Sequence, residues 1–531
     1  MREDQKRLYQ ICYLLWFFLG VFGAHRFYLN YKVTGGIFFA TFGLLLVGWA
    51  LDSGILPSLI DEYIANKYGE DVDLQSPQSP SNEIFSENNA VDIELQPVVV
   101  EKPCIKHVFA IMLHGRSYDQ ILGCLAQKNG ANQSRLNFGS NGVPYFQRPM
   151  QYDYNQEEFE HSLNETLIQM DGNSFIESAQ RSDAYKGTEF YADRWDQVMG
   201  YFPLHSLPVT HTLAENFRVC DKWFSSVPGD SLSNIFFALT GTSRGAVGHS
   251  LPTELGKYQQ SQQSIFDRLN AAGKSWKIYH EGVATSLLLP SQWEQNGPKN
   301  YKPITEFKQD CENKNIPDFT LIEPKYGGDG NDDGSVHSLA NGQNLLANVY
   351  NSVKCNEELW NSSLIVVFYS QHGGFYDHMN PPVATAPDHL NHDYAFDSLG
   401  VRVPAMLISP LLEKGFDSRV YDHTCLLSYI CSLYNLSPLS ERAALMTPFA
   451  KDVLQTPRTD VPSFIEVPDR DTTIRSGHDA LPFTKFQKDV YNQFRNLARH
   501  KACLKEILNQ NYKTWSEFEN MFMKVLNGMQ K

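Results

Sequence analysis

His107 to Leu113 reads HVFAIML, and runs of the same kind recur at Leu364 to Tyr369 (LIVVFY) and Val403 to Ser409 (VPAMLIS). None alternates polar with apolar residues. Continuous β-branched and aliphatic runs of this length suit parallel strands covered by helices on both faces. The expected fold class is therefore α/β with a central, largely parallel sheet. In such sheets the chemistry sits just beyond the carboxyl ends of the strands. That directs attention to HGRSYD (His114 to Asp119), to SQHGGFYDH (Ser370 to His378) and to the segment after Pro410.

A further segment, SSVPGDSLSNIFFALTG (Ser225 to Gly241), runs from a Pro-Gly turn through Ser231 into an apolar-periodic helix. A hydroxyl at a helix N-terminus lies beside free backbone N–H groups and the positive end of the dipole, which suits a phosphate. Ser231 is thus a candidate nucleophile; the plainer reading makes it an ordinary N-cap.

The bulk properties narrow the function classes. The chain has 531 residues, 42% hydrophobic and 13% aromatic, enough to bury a large core with appendages. Its net charge of −15, with no basic run, argues against a nucleic-acid partner. The nine cysteines show no CxxC spacing, so reduced, buried thiols are the simplest expectation.

Toward the N-terminus, 17 residues from Leu8 to Ala24 and 19 from Val33 to Leu51 carry no charge, close to the length that crosses a bilayer. Between them lies GAHRFYLN (Gly23 to Asn30), which resembles the turn of the two-transmembrane-helix (TM-two) domain. A two-span membrane hairpin over residues 1–66 is expected, with the bilayer as partner. Basic residues before the first span favour a cytoplasmic N-terminus and return the globular part to the cytoplasmic side. Residues 67–100, acidic and rich in Ser, Pro and Asn, read as a flexible linker. An α/β domain over 101–460 and a helical extension over 461–531 complete the expected organisation, the last stretch from Lys485 having helical spacing.

Six ordered segments carry a second resemblance. KHVFAIMLHGRSYDQILG (Lys106 to Gly123), VCDKWFSSVPGDSLSN (Val219 to Asn234), LIEPKYGGDGNDDG (Leu321 to Gly334), SLIVVFYSQHGGFYDHMNPP (Ser363 to Pro382), LGVRVPAMLISP (Leu399 to Pro410) and YDHTCLL (Tyr421 to Leu427) are similar to the motifs of the phosphoesterase family of phospholipases C and acid phosphatases. The resemblance implies an alkaline-phosphatase-like α/β sandwich in which a hydroxyl attacks phosphorus beside a bound divalent metal. Such chemistry needs carboxylates to hold the cation.

Here the pattern breaks. The family's Glu-Asn pair falls on His114 and Gly115, its Asp-Glu pair on Ser370 and Gln371, and the His of its NDxHP motif on Gly334. What remains by resemblance is Ser231 as nucleophile, Asn234 as its paired Asn, Arg116 for substrate, and His372, Asp422 and His423. Asp119 and Asp377 persist as loop ties. His114, with His372, Asp422 and His423, offers residual ligands for a rebuilt, nitrogen-rich metal site. Three functions follow: a degenerate phosphoesterase that binds a phosphate ester or phospholipid head group with little turnover; an active phosphoesterase with a changed ligand set; or a structural or regulatory membrane protein.

Overall fold

The computed structural model describes residues 105–530, except 128–135, 140–141, 151–157, 187–194, 249–262, 295–296, 391 and 472–482. The expected membrane hairpin and linker lie outside the described residues. Among the described residues no helix is long and apolar enough to cross a membrane.

An eight-stranded sheet forms the centre: β1 (His107–Leu113), β2 (Arg218–Cys220), β3 (Trp276–His280), β4 (Tyr301–Pro303), β5 (Phe319–Glu323), β6 (Ser363–Tyr369), β7 (Ala405–Ile408) and β8 (Gly415–Asp417), in the order β8-β2-β7-β6-β1-β5-β3-β4. β1 pairs in parallel with β6 from His107↔Ser363 to Leu113↔Tyr369, and with β5 on its other side. All seven residues of β6 are buried, as expected for a strand covered on both faces.

The third expected parallel strand is different. β7 runs antiparallel to both β6 and β2. Its four residues are fully buried, and a continuous apolar run reports burial on two faces without reporting direction.

Beyond the carboxyl edge, α1 (Tyr118–Ile121) follows β1 and α2 (Leu163–Met170) lies further along. α3 (Ser231–Thr240) ends on Gly241 at φ 80°, a left-handed cap that glycine adopts without strain. α4 (Leu339–Lys354) and α5 (Thr424–Tyr434) follow β5 and β8. The C-terminal part is helical: α6 (Lys485–His500) and α7 (Trp515–Gln530) meet through Phe494 and Phe522, 4.9 Å apart. These helices share the main hydrophobic core. Gly327 permits the approach, since a Cβ there would lie 2.0 Å from Cδ1 of Trp515.

Two buried tethers hold the edge loops. Arg402 binds both Asp119 (2.9 Å) and Asp377 (3.1 Å), tying α1 to the loop after β6. Asp119, Asp377 and His378 lie close enough to share a cation, but the Arg402 guanidinium already supplies the positive charge. In the loop after β5, Tyr369 donates to Asp333 Oδ2 at 2.6 Å, and burial pushes Asp333 up to about 7.

Two outcomes follow. Ile365, 1% exposed in β6 and paired with Phe109 of the core family of strands through the sheet, leaves a cavity when cut to alanine. Ile365→Ala should lower unfolding free energy by about 3 kcal/mol in guanidinium titrations. Asp333 binds its proton more tightly folded than unfolded, so its contribution to stability falls as pH rises from the ordinary carboxylate range toward 7. Asp333→Asn should remove that fall, so the variant gains on the parent chain as pH is raised over this window in pH-resolved melts.

Candidate functional site

The β1 and β6 pairing sets the geometry. Ser370 N–H donates to Leu113 O at 2.8 Å, so the residues after both strands emerge side by side. Ser231 arrives from α3 and is 1% exposed. Asp230 occupies the N-cap and Ser231 is the first residue inside the helix. The capping reading of Ser231 is therefore corrected: its side chain is available to the site.

Gln371 Nε2 donates to Ser231 Oγ at 3.2 Å, and Ser370 Oγ donates to it at 3.4 Å. Gln371 Oε1 in turn accepts from Gly373 N. The two positions where the resemblance calls for carboxylates thus hold neutral groups aimed at the hydroxyl. A divalent cation is held by anionic oxygens, and these two positions supply none.

The other expected site residues divide. His423 donates from Nε2 to Ser370 O at 2.8 Å and accepts from Trp223 Nε1 at 3.1 Å. Burial pushes it down to about 4, so it is a neutral strut with both nitrogens occupied. His372 donates to Gln169 Oε1 of α2 at 2.7 Å, and burial holds it well below the usual histidine range. Asp422 accepts from Thr424 N and from Arg442 at 3.4 Å. Hence the structure does not gather His114, His372, Asp422 and His423 around one ion: three of the four are engaged with separate partners. Asn234, expected beside the nucleophile, turns its amide back onto Val227, Gly229 and Asp230 and holds the turn that presents Ser231. Arg116 donates to the carbonyls of Asp333 (2.7 Å) and Gly334 (3.4 Å) and lies over Phe375.

His114 and Gly115 follow β1. Gly115 takes φ +52°, and a Cβ there would meet nothing nearer than 3.5 Å. His114 is 4% exposed, with Nε2 3.8 Å from Glu158 Oε1. Around it stand residues that sequence reasoning did not single out. His337 meets Asp332 at 2.5 Å. Burial opposes both charges, yet their mutual attraction raises His337 and lowers Asp332. His161 donates from Nδ1 to Phe159 O, and its Nε2 lies 3.9 Å from Asp230 Oδ1. Burial, then the nearby Lys485 charge, lower His161. The NDDGSVH run carried a signal for Asp332 and His337; Glu158 and His161 sit in EEFEH, which has no motif of its own.

The site is a buried set of imidazoles paired with carboxylates beside a hydroxyl that lacks a base. It has little with which to ionise Ser231.

Comparison with known proteins agrees with this geometry in outline. The family model described as Phosphoesterase family matches residues 105–437, and that of the TM2 domain matches residues 5–53. Non-specific phospholipase C6 of Arabidopsis thaliana is 30% identical over 396 residues, covering 67% of this chain and 74% of the relative. Non-specific phospholipase C3 of the same plant is 31% identical over 317 residues, covering 55% and 60%. The hemolytic phospholipase C of Pseudomonas aeruginosa is 21% identical over 390 residues, covering 61% and 52%. A solved protein in the alkaline phosphatase superfamily from Vibrio parahaemolyticus is 12% identical, covers 60% of this chain and 85% of that one, and has a TM-score of 0.30, too slight a likeness to add to the family match. With its largely parallel sheet, its hydroxyl at a helix start and a family match over most of its described length, this chain belongs to the phosphoesterase family.

Proposed function

We propose that the protein is a membrane-tethered phosphoesterase homologue that binds a phosphate ester, of the phospholipid class that its relatives' names describe, and turns it over weakly or not at all. One observation carries the reading: the side chains of Gln371 and Ser370 donate directly to Ser231 Oγ. A hydroxyl oxygen that accepts two hydrogen bonds is a poorer nucleophile, and neither partner is a base that could take its proton. In this reading residues 1–66 anchor the chain, 67–100 tether it, 101–460 bind the ester and 461–531 brace the site.

A second reading rests on one contact. His114 Nε2 and Glu158 Oε1 lie 3.8 Å apart, and Glu158 Oε2 is buried without a hydrogen-bond partner. An imidazole and a carboxylate so placed could share a borderline cation, giving an active enzyme with a changed ligand set.

Assay separates these readings. The full chain in phosphatidylcholine-containing micelles, given Mg²⁺, Mn²⁺, Ca²⁺ or Zn²⁺, should hydrolyse lipid and a chromogenic monoester no faster than Ser231→Ala, while calorimetry detects inorganic phosphate binding. Metal-dependent turnover that Ser231→Ala abolishes would establish the second reading; absence of phosphate binding would remove both. Conversely, the combined variant His114→Glu, Gly115→Asn, Ser370→Asp, Gln371→Glu should gain metal-dependent monoester hydrolysis of about a hundredfold or more, the scale expected when a cation activates a positioned hydroxyl. The left-handed backbone at Gly115 is one that asparagine tolerates.

A further inference from the structure

Three consecutive residues of the first turn of α6 reach three different parts of the site. Lys485 Nζ pairs with Glu160 Oε2 at 3.0 Å. The Phe486 ring lies 4.5 Å from the His114 imidazole and 5.0 Å from Tyr326. Gln487 Nε2 donates to Tyr326 O at 2.6 Å. The loop after β1, the loop after β5 and the segment holding Glu158 and His161 are thereby held by one helical turn. That turn is itself fixed by a capping box between Thr484 and Gln487. It lies beyond residue 437, where the family match ends.

The charges give this turn a further role. Inside the site His114, His161 and His337 face Glu158, Asp230 and Asp332 one for one. Burial holds the His161 imidazole down while Glu158 and Asp332 stay below the usual carboxylate range, so this set leaves little net attraction for a phosphate. A carboxylate-bound cation would bring that attraction, but its ligand positions are Ser370 and Gln371. Lys485 and Glu160, with side chains 27% and 25% exposed, reach solvent, whereas Ser231, His114, His161 and Asp332 are all nearly sealed. Glu160 is tied inward: its carbonyl accepts from Gln169 at 2.9 Å, and Gln169 holds His372 at 2.7 Å. An ion pair about a quarter exposed is partly screened by solvent, so a dianionic phosphate can compete with Glu160 for the ammonium.

We propose that the C-terminal helix completes the phosphate-ester site, with Phe486 and Gln487 as positioning residues for the His114 and Tyr326 loops and Lys485 as the cation that meets the ligand's phosphate from the solvent-exposed side. This rests on the phosphate-binding reading given above. It assigns binding residues to a segment outside the matched family region.

The test is calorimetric titration of inorganic phosphate into the full chain and four variants. Lys485→Gln should weaken binding by about tenfold or more and Lys485→Arg should stay within about threefold of the parent, because the loss is one charge-assisted contact. Phe486→Ala should weaken binding and Phe486→Leu restore most of it, with thermal melts run on every variant. Phosphate binding unchanged in Lys485→Gln overturns the proposal while leaving the phosphate-binding reading intact. No binding by the parent chain removes that reading and this proposal together. If Phe486→Ala fails to fold, the Lys485 pair decides, since that side chain is partly exposed and outside the core.

Discussion

Everything at the site depends on the parallel ladder between β1 and β6. Seven residue pairs in register bring Leu113 and Tyr369 level, so the next residues of both strands leave the sheet side by side. A slip of one residue would turn the side chains of a whole strand to the opposite face. Burial on both faces would not prevent that by itself; the turn after each strand does. Gly115 and Gly373 both have positive φ, and a Cβ on Gly373 would lie 2.2 Å from Gly115 O. The two loops therefore cross at a point where only glycine lets the backbones approach.

Upon that crossing the chain has exchanged charge for hydrogen bonding. In a metal-dependent phosphoesterase the loops after these strands hold carboxylates, and a cation balances them. Here Gln371 bonds at one end to Ser231 and at the other to Gly373, satisfying a buried amide within the site. Neutral donors and acceptors need no cation, and the arrangement is complete as a hydrogen-bonded unit. Near His114, acids and imidazoles pair off.

Much of this was legible in the sequence, and the exceptions have physical causes. HVFAIML and LIVVFY reported strands because continuous apolar runs report two-sided burial; the same rule could not report that β7 runs the other way. The substituted positions His114, Gly115, Ser370 and Gln371 were visible because motif spacing survives substitution. The partners of His423, Asn234 and His372 were not visible. Each is a tertiary contact, the Trp223 indole, the Val227 turn and the Gln169 amide, and none leaves a periodic trace. Lys485 and Phe486 were read as parts of an amphipathic helix, which they are, but helical spacing identifies the buried face without saying what lies beneath it.

The acids that remain in the shared motifs differ from those that are missing. Asp119 and Asp377 are held by Arg402, and Asp422 by Arg442. Removing Asp422 would take the carboxylate from buried Arg442, and removing Asp119 or Asp377 would take one of the two that neutralise buried Arg402, at a cost on the order of several kcal/mol. Among the described residues no guanidinium contacts Ser370 or Gln371 in their hydrogen bonds, which run to Ser231, Gly373, His423 and the backbone. Carboxylates there would face one another and require a cation to be tolerable. Acids that stabilise the fold through an arginine and acids that serve only a metal are thus under separate physical constraints. The second kind can be replaced by amide and hydroxyl with the scaffold intact, and in this chain that amide and hydroxyl lie within hydrogen-bonding reach of Ser231.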